Sequence, residues 1–250
     1  MPLLLFDIDG TLIDSGRIGS RAIAGVFQAH YGIQDAIEGF FFDGKTDREI
    51  FRELMACHGL LPATEAEVRR QIELITERYL EHLRETAKRM EGGAVHPGVL
   101  EILEEIQERT WQRGKAPIVA GLLTGNVEAG ARIKLQRFDL AGYFPFGAFG
   151  SDAEVRSELV PIALERAQAY CGWKFSPEEI FVVGDSVRDI ECARKNGVVS
   201  IAVATGSTPR EILAAENPDH LFDDLSDTER FFEIVGGHGS HPIVSGGIGA

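Results

Sequence analysis

An α/β protein whose mostly parallel sheet carries helices on both faces, with an all-helical segment inserted near its start, is predicted by three observations. The chain opens on four apolar residues, Leu3 to Phe6, that run straight into Asp7-Ile8-Asp9-Gly10. From His96 onward, short apolar runs alternate regularly with helical patterns. Between Ser15 and Glu91 the only persuasive periodicity is helical. Regular βα alternation favours a parallel sheet, since each crossover helix returns the chain to the same sheet edge.

The first run is long enough for a short strand buried on both faces, and Gly10 ends it. In the inserted stretch, Val68, Ile72, Ile75, Tyr79, Leu83, Ala87 and Met90 recur every three or four residues, and Thr64 with Glu67 forms a capping box. A second helix is expected near Thr46 with Ile50, Phe51 and Leu54 as its apolar face, and a third from Ile18 to His30. Together they would make a small bundle. Gly92 and Gly93 mark a hinge. Pro97 to Arg113 then reads as helix, Ile118 to Thr124 as strand, Val127 to Phe138 as helix and Phe146 to Phe149 as a short strand. A helix from Glu158 to Tyr170 and a strand from Ile180 to Val183 follow, then another helix and strand. Ser176-Pro177 with Glu179, and Thr208-Pro209 with Glu211, both read as helix starts. The organisation expected is a core of residues 1–14 and 92–235, an insertion of 15–91, and a flexible Gly-, Ser- and His-rich tail of 236–250, whose His238 and His241 are solvated rather than metal-binding.

The totals narrow the classes of function. The 250 residues are 44% hydrophobic and 26% charged, an ordinary globular balance. The apolar runs are far shorter than the roughly 20 residues of a membrane span, and no basic leader precedes the first strand, so a cytoplasmic protein without membrane attachment is expected. Cys57, Cys171 and Cys192 are odd in number and widely spaced, as reduced thiols would be. A formal charge of −14 opposes nucleic acid as a partner but leaves room for a local basic pocket around a small anion.

Chemistry-bearing residues gather at predicted strand ends, the edge where open α/β sheets bind ligands. Asp7 and Asp9 would share one side of an extended backbone. Two carboxylates so close invite a divalent cation, or else sit in a surface turn as caps. After the strand ending at Leu123, Thr124, Gly125 and Asn126 offer a hydroxyl and free amides to an anion, or a simple N-cap. In Gly184 to Asp189, Asp185 leaves a strand and Asp189 follows one helical turn later, so both can face a cation. Four acids on one rim call for a hard cation such as Mg²⁺.

These motifs in this order resemble the haloacid dehalogenase superfamily, and in particular its phosphatases related to phosphoglycolate phosphatase. The resemblance spans Leu3 to Gly206, including DIECARKNGVVSIAVATG after the acidic motif. It implies a Rossmann-like core with Asp7 as nucleophile and Asp9 as general acid/base, and with Gly10 and Thr11 among the residues that bind substrate. It also implies Mg²⁺ held by the Asp7 carboxylate, the Asp9 backbone carbonyl and Asp185, with Asp189 in support. The family's basic residue is usually Lys; here Arg156 is the candidate, a departure that bidentate phosphate binding makes chemically sound, with Lys174 as the fallback. The insertion matches the family's helical cap, in which Lys45, Thr46 and Arg48 either contact the leaving group or only cap and solvate a helix. An acid at position 9 favours phosphate esters over halides, since an alkoxide needs a proton to leave and a halide does not.

The resulting expectation is a Mg²⁺-dependent phosphatase, monomeric or homodimeric, that hydrolyses a small phosphorylated metabolite such as phosphoglycolate or a sugar phosphate through an aspartyl phosphate. Two alternatives stay open on sequence alone: phosphoglucomutase-like transfer with the same aspartates, and a non-catalytic phosphate-binding module on the same scaffold.

Overall fold

Strand β1, Leu3–Phe6, is fully buried, and its alternation decides what lies on each side. Leu4 and Phe6 enter one apolar cluster while Leu3 and Leu5 enter another, the period-two consequence of a central strand covered on both faces. The computed structural model describes residues 1–89, 91–111 and 117–237. Beyond Phe6 the backbone is not extended: the amides of Leu12 and Ile13 both donate to the Ile8 carbonyl, at 2.9 and 3.1 Å, so the chain turns at once. It leaves the core through the two-residue strand β2, Ile13–Asp14.

The inserted helical region follows. Helix α1 spans Ile18–Tyr31, α2 spans Asp47–Cys57 and α3 spans Glu65–Arg89. All three match the sequence pattern, and their apolar stripes meet in a cluster built on Ile23, Phe27, Phe51, Ile75 and Tyr79. Thr46 caps α2 by accepting from the Glu49 amide, and Thr64 with Glu67 forms the expected box before α3. Met90 of the expected stripe lies outside the described residues. Strand β3, Ala94–Val95, pairs antiparallel with β2 and ties the two connections of the insertion together. Two residues per strand leave no alternation to read, so this ribbon was not expected at the glycine hinge.

Helix α4, Val99–Trp111, returns the chain to the core; Arg113, where the expected helix ended, lies outside the described residues. Strand β4 is Val119–Thr124, α5 is Glu128–Gln136 and β5 is Gly147–Phe149. Helix α6, Leu159–Cys171, follows a single 3₁₀ turn, Arg156–Glu158. Strand β6, Ile180–Gly184, leads into α7, Val187–Asn196, and β7, Val199–Val203. The chain ends on α8, Arg210–Ala215, β8, His220–Phe222, and α9, Thr228–Gly237. The sheet order is β5-β4-β1-β6-β7-β8, with every pair parallel.

Three local expectations change. Ser176 and Glu179 do form a capping box, but on a 3₁₀ turn too short to be a helix. Before α8 it is Pro209 that occupies the cap position, with no side-chain bond. Gly236 and Gly237 close α9 rather than open a tail, and the rest of that stretch, with His238 and His241, lies outside the described residues. The three cysteines are unpaired, and no described helix is long and apolar enough to cross a membrane.

Candidate active site

Register places the ends of the three central strands side by side. Phe6 is level with Leu122 of β4 and Val183 of β6. The Asp7 amide then donates to the Val183 carbonyl at 2.9 Å, carrying Asp7 alongside the Gly184-Asp185 corner. Carboxylate oxygens of Asp7, Asp185 and Asp189 lie within 4.8 Å of one another, and all three residues are buried. Thr11 Oγ1 donates to Asp185 at 2.9 Å. Asp189 receives the Ser186 amide and hydroxyl on one oxygen, closing the capping box of α7, and the Arg156 guanidinium on the other.

Arg156 is the positive counterpart of this cluster. It is buried, and its Nη2 lies 3.1 Å from Asp7 Oδ2 as well as against Asp189. One cation among three buried acids leaves them under-compensated. Burial, opposed by Arg156 and reinforced by Asp189, raises the Asp7 pKa to about 6. Burial and then repulsion from Asp7 and Asp189 push Asp185 well above the usual carboxylate range. An all-oxygen donor set with surplus negative charge is chemically suited to a hard divalent cation, which would hold the acids ionised.

Asp9 belongs to a different set of contacts. Its carboxylate turns from the cluster toward α5, accepting from Lys134 Nζ at 2.6 Å, Asn126 Nδ2 at 2.9 Å and Ser15 Oγ at 2.7 Å. Burial raises its pKa, but the Lys134 charge and these hydrogen bonds outweigh that and hold it below the ordinary range. Asp7 and Asp9 are expected to share one side of an extended backbone and one site: both line one cavity of about 530 Å³, but the strand ends at Phe6, the chain turns on the Ile8 carbonyl, and the two carboxylates keep different partners. The residue pattern counts the Asp9 carboxylate among four acids sharing a cation; that carboxylate is not part of the acidic cluster, and only the backbone-carbonyl role that the resemblance implies is left to Asp9.

Other expected residues divide by position. Thr124, Gly125, Asn126, Gly10 and Lys45 line the cavity with Asp7, Asp9, Asp185 and Arg156. Thr124 Oγ1 accepts from Asn126 Nδ2 at 2.8 Å, so this pair positions Asp9 as well as facing the cavity. Thr11 does not line it; its hydroxyl is spent on Asp185, which corrects its expected place beside the substrate. Arg48 reaches the Ser151 carbonyl at 3.5 Å and is likewise absent from the lining, because α2 turns that side chain toward the core loop. Lys45 pairs with Glu53 and lies over the Phe40 ring, 4.6 Å from its centroid. Lys174 is exposed and takes no part.

Four contributors escaped the sequence reading: Ser15, Asp47, Tyr79 and Lys134. Lys134 carried a signal, since it falls on the buried face of α5 with Ala131 and Leu135, where a lysine needs a partner. Asp47 joins the helical region to the core: its amide donates to the Gly125 carbonyl at 2.7 Å and its carboxylate accepts the Val127 amide at 2.8 Å. This approach requires glycine at position 125, where a Cβ would come within 2.1 Å of the Lys45 carbonyl oxygen. Glu49 with Arg188, and Arg52 with Glu154, extend the same contact.

The chain matches the family model of haloacid dehalogenase-like hydrolases over residues 4–203. Among curated proteins it is 26% identical over 234 residues to a phosphoglycolate phosphatase of Synechococcus elongatus, covering 91% of this chain and 95% of that one. It is 27% identical over 232 residues to a phosphoglycolate phosphatase of Vibrio vulnificus, covering 90% and 92%. Among solved structures, a haloacid dehalogenase-like hydrolase of Streptococcus pneumoniae superposes with a TM-score of 0.65 at 18% identity, covering 93% of this chain and 98% of that one. A chain of Bacteroides vulgatus named for β-phosphoglucomutase gives 0.67 at 20% identity, covering 96% and 91%. With four-fifths of its length matched by the family model and a parallel sheet presenting Asp7, Asp9, Thr124 and Asp185 at one edge, this protein belongs to the haloacid dehalogenase-like hydrolases.

Proposed function

We propose that this hydrolase is a Mg²⁺-dependent phosphatase that acts on a small phosphorylated metabolite, of the phosphoglycolate or sugar phosphate class, through an aspartyl phosphate on Asp7. The observation that carries the reading is the buried Asp7–Asp185–Asp189 cluster beside Arg156, of which Asp7, Asp185 and Arg156 line a cavity shared with Lys45, Asp47 and Tyr79 of the helical region. Mg²⁺ would be held by Asp7, Asp185 and the Asp9 carbonyl with Asp189 in support, and when bound it supplies charge neutralisation and polarises the phosphoryl oxygens. The names of the Synechococcus and Vibrio relatives support the substrate class. Residues 15–91 serve as the cap and residues 1–14 with 92–235 as the core.

In the first step the Asp7 carboxylate attacks phosphorus in line, and the leaving oxygen takes a proton from Asp9. Arg156 neutralises charge on the phosphoryl oxygens, and the Thr124 hydroxyl orients them; the amides of Asn126, Val127 and Glu128, expected to be free, are taken by Thr124, Asp47 and Ser151. The pairing with Lys134 favours ionised Asp9, so protonation for the first step requires that this ion pair loosen when substrate enters. Water then attacks the aspartyl phosphate, and Asp9 accepts its proton. Ionised Asp9 is already suited to that second step.

A phosphate-release screen over phosphorylated metabolites with Mg²⁺ tests the proposal, with Asp7→Asn as the control. Free phosphate from the wild type alone is the expected result. Isomerised sugar phosphate without phosphate release would instead identify transfer back to substrate, and no turnover on any ester would leave a binding module.

A further inference from the structure

Tyr79 is fully buried in the middle of α3, yet its hydroxyl has no hydrogen-bond partner among the described residues. Its ring is well placed, packing edge-on against Phe51 at 5.5 Å between centroids. A buried hydroxyl without a partner costs free energy, and a phenylalanine would fill the same space without that cost. Tyr79 lines the active-site cavity together with Gly19 and Lys134. A Cβ placed on Gly19 would lie 3.1 Å from Lys134 Nζ and 3.5 Å from Tyr79 Oη. These two polar atoms therefore border one small recess that exists because residue 19 has no side chain. Lys134 is also the residue that holds Asp9. The recess thus adjoins the proposed proton donor, on the leaving-group side of the site. Burial, with the charges of Asp47 and Asp9 nearby, keeps the phenol protonated and able to donate.

We infer that the Tyr79 hydroxyl, beside the Lys134 ammonium, is a specificity-determining contact that donates a hydrogen bond to an oxygen on the substrate's leaving group. The inference rests on the phosphatase reading and narrows it to esters whose alcohol portion carries an oxygen acceptor, a carboxylate or a hydroxyl, in addition to the ester oxygen. A carboxylate gains more from the ammonium than a hydroxyl does, so esters of hydroxy acids and of polyols form the two arms of the test.

The readout is the ratio of kcat/KM for an oxygen-bearing ester to kcat/KM for phenyl phosphate, whose leaving group offers the recess no acceptor. 2-Phosphoglycolate represents the first arm and a hexose phosphate the second. In Tyr79→Phe the ratio for the preferred arm is expected to fall about tenfold, the worth of one neutral hydrogen bond, and the melting temperature is expected to hold or rise. Gly19→Ala, in the first turn of α1, sets a methyl 3.1 Å from Lys134 Nζ and 3.5 Å from Tyr79 Oη, fills the recess against both polar atoms, and is expected to lower the same ratio. If the ratio stays within twofold of wild type in both arms for both variants, the inference is overturned. It is overturned equally if Tyr79→Phe melts several degrees lower and loses both esters in proportion, since the hydroxyl is then structural. If wild type hydrolyses no ester at all, the phosphatase reading fails first, so the two failures are distinguishable.

Discussion

The Arg156 guanidinium stands 3.1 Å from the Asp7 carboxylate while it also binds Asp189. One planar cation thus spans the proposed nucleophile and the acid that caps α7, which an ammonium with a single nitrogen does less well. Arg156→Lys is expected to lower kcat/KM by about ten- to a hundredfold, as charged hydrogen bonds of about 1.5–3 kcal/mol are weakened. Arg156→Met strands two buried carboxylates and is expected to destabilise the fold by about 3–5 kcal/mol. Urea denaturation and steady-state kinetics on both variants check this. Wild-type values for Arg156→Met in both assays would remove Arg156 from the site.

Metal binding has a readout apart from turnover. If a divalent cation relieves repulsion among Asp7, Asp185 and Asp189, Mg²⁺ at a hundred times its dissociation constant should stabilise the folded protein by about 2.7 kcal/mol. Asp185→Asn should abolish most of that gain. Excess chelator is expected to abolish turnover, and Ca²⁺ to restore it poorly because its looser coordination misplaces Asp7. A melting temperature indifferent to Mg²⁺, with full activity in chelator, would refute the metal site.

Asp47 predicts a pH dependence localised where the helical region meets the core. Burial raises its pKa from 3.8 to about 6, against the opposing effects of Lys134 and the Val127 amide. The folded state therefore favours the protonated acid. Stability from this group is full below the unfolded pKa and falls as pH rises through about 6, beyond which ionised Asp47 costs up to about 3 kcal/mol. Asp47→Asn retains an acceptor for Val127 but cannot ionise. Its stability relative to wild type should therefore increase between pH 4.5 and pH 7.5, as followed by urea denaturation. A difference independent of pH would show that Asp47 does not titrate in this range.

The contrast between Asp47 and Lys134 shows what a sequence conveys about such a site. Asp7, Thr124 and Asp185 follow short apolar runs, and a parallel sheet brings strand ends together whatever lies between them, so their convergence was legible. Arg156 was legible only through the resemblance. Lys134 interrupts an apolar helical stripe and could have been found by that interruption. Asp47 directly follows a Thr N-cap, where an acid is ordinary because it complements the helix dipole. Only the docking of α2 on the Gly125 carbonyl gives Asp47 its second role, and no local pattern encodes that docking. Tyr79 fits its stripe so well that nothing marks its hydroxyl as unpartnered until the cavity is seen.

Asp7 and Asp9 have the same side chain and opposite surroundings, and their substitution should separate the two chemical steps. Asp7 sits among acids with a raised pKa, whereas Asp9 is held low beside Lys134. Asp7→Asn removes the nucleophile, so no phosphoenzyme forms and turnover should vanish for every ester. Asp9→Asn keeps the nucleophile but removes proton transfer. An alkyl phosphate, whose alkoxide leaves badly, should then stall at the first step, with a loss of about 10²- to 10⁴-fold. Phenyl phosphate has a better leaving group and needs less help, so its first step should survive better than the second, in which water still requires a base. Rapid-quench kinetics should therefore show a burst of phenol and accumulated aspartyl phosphate in Asp9→Asn and neither in Asp7→Asn. The reverse pattern would exchange the two roles, and full activity in both variants would place the chemistry elsewhere.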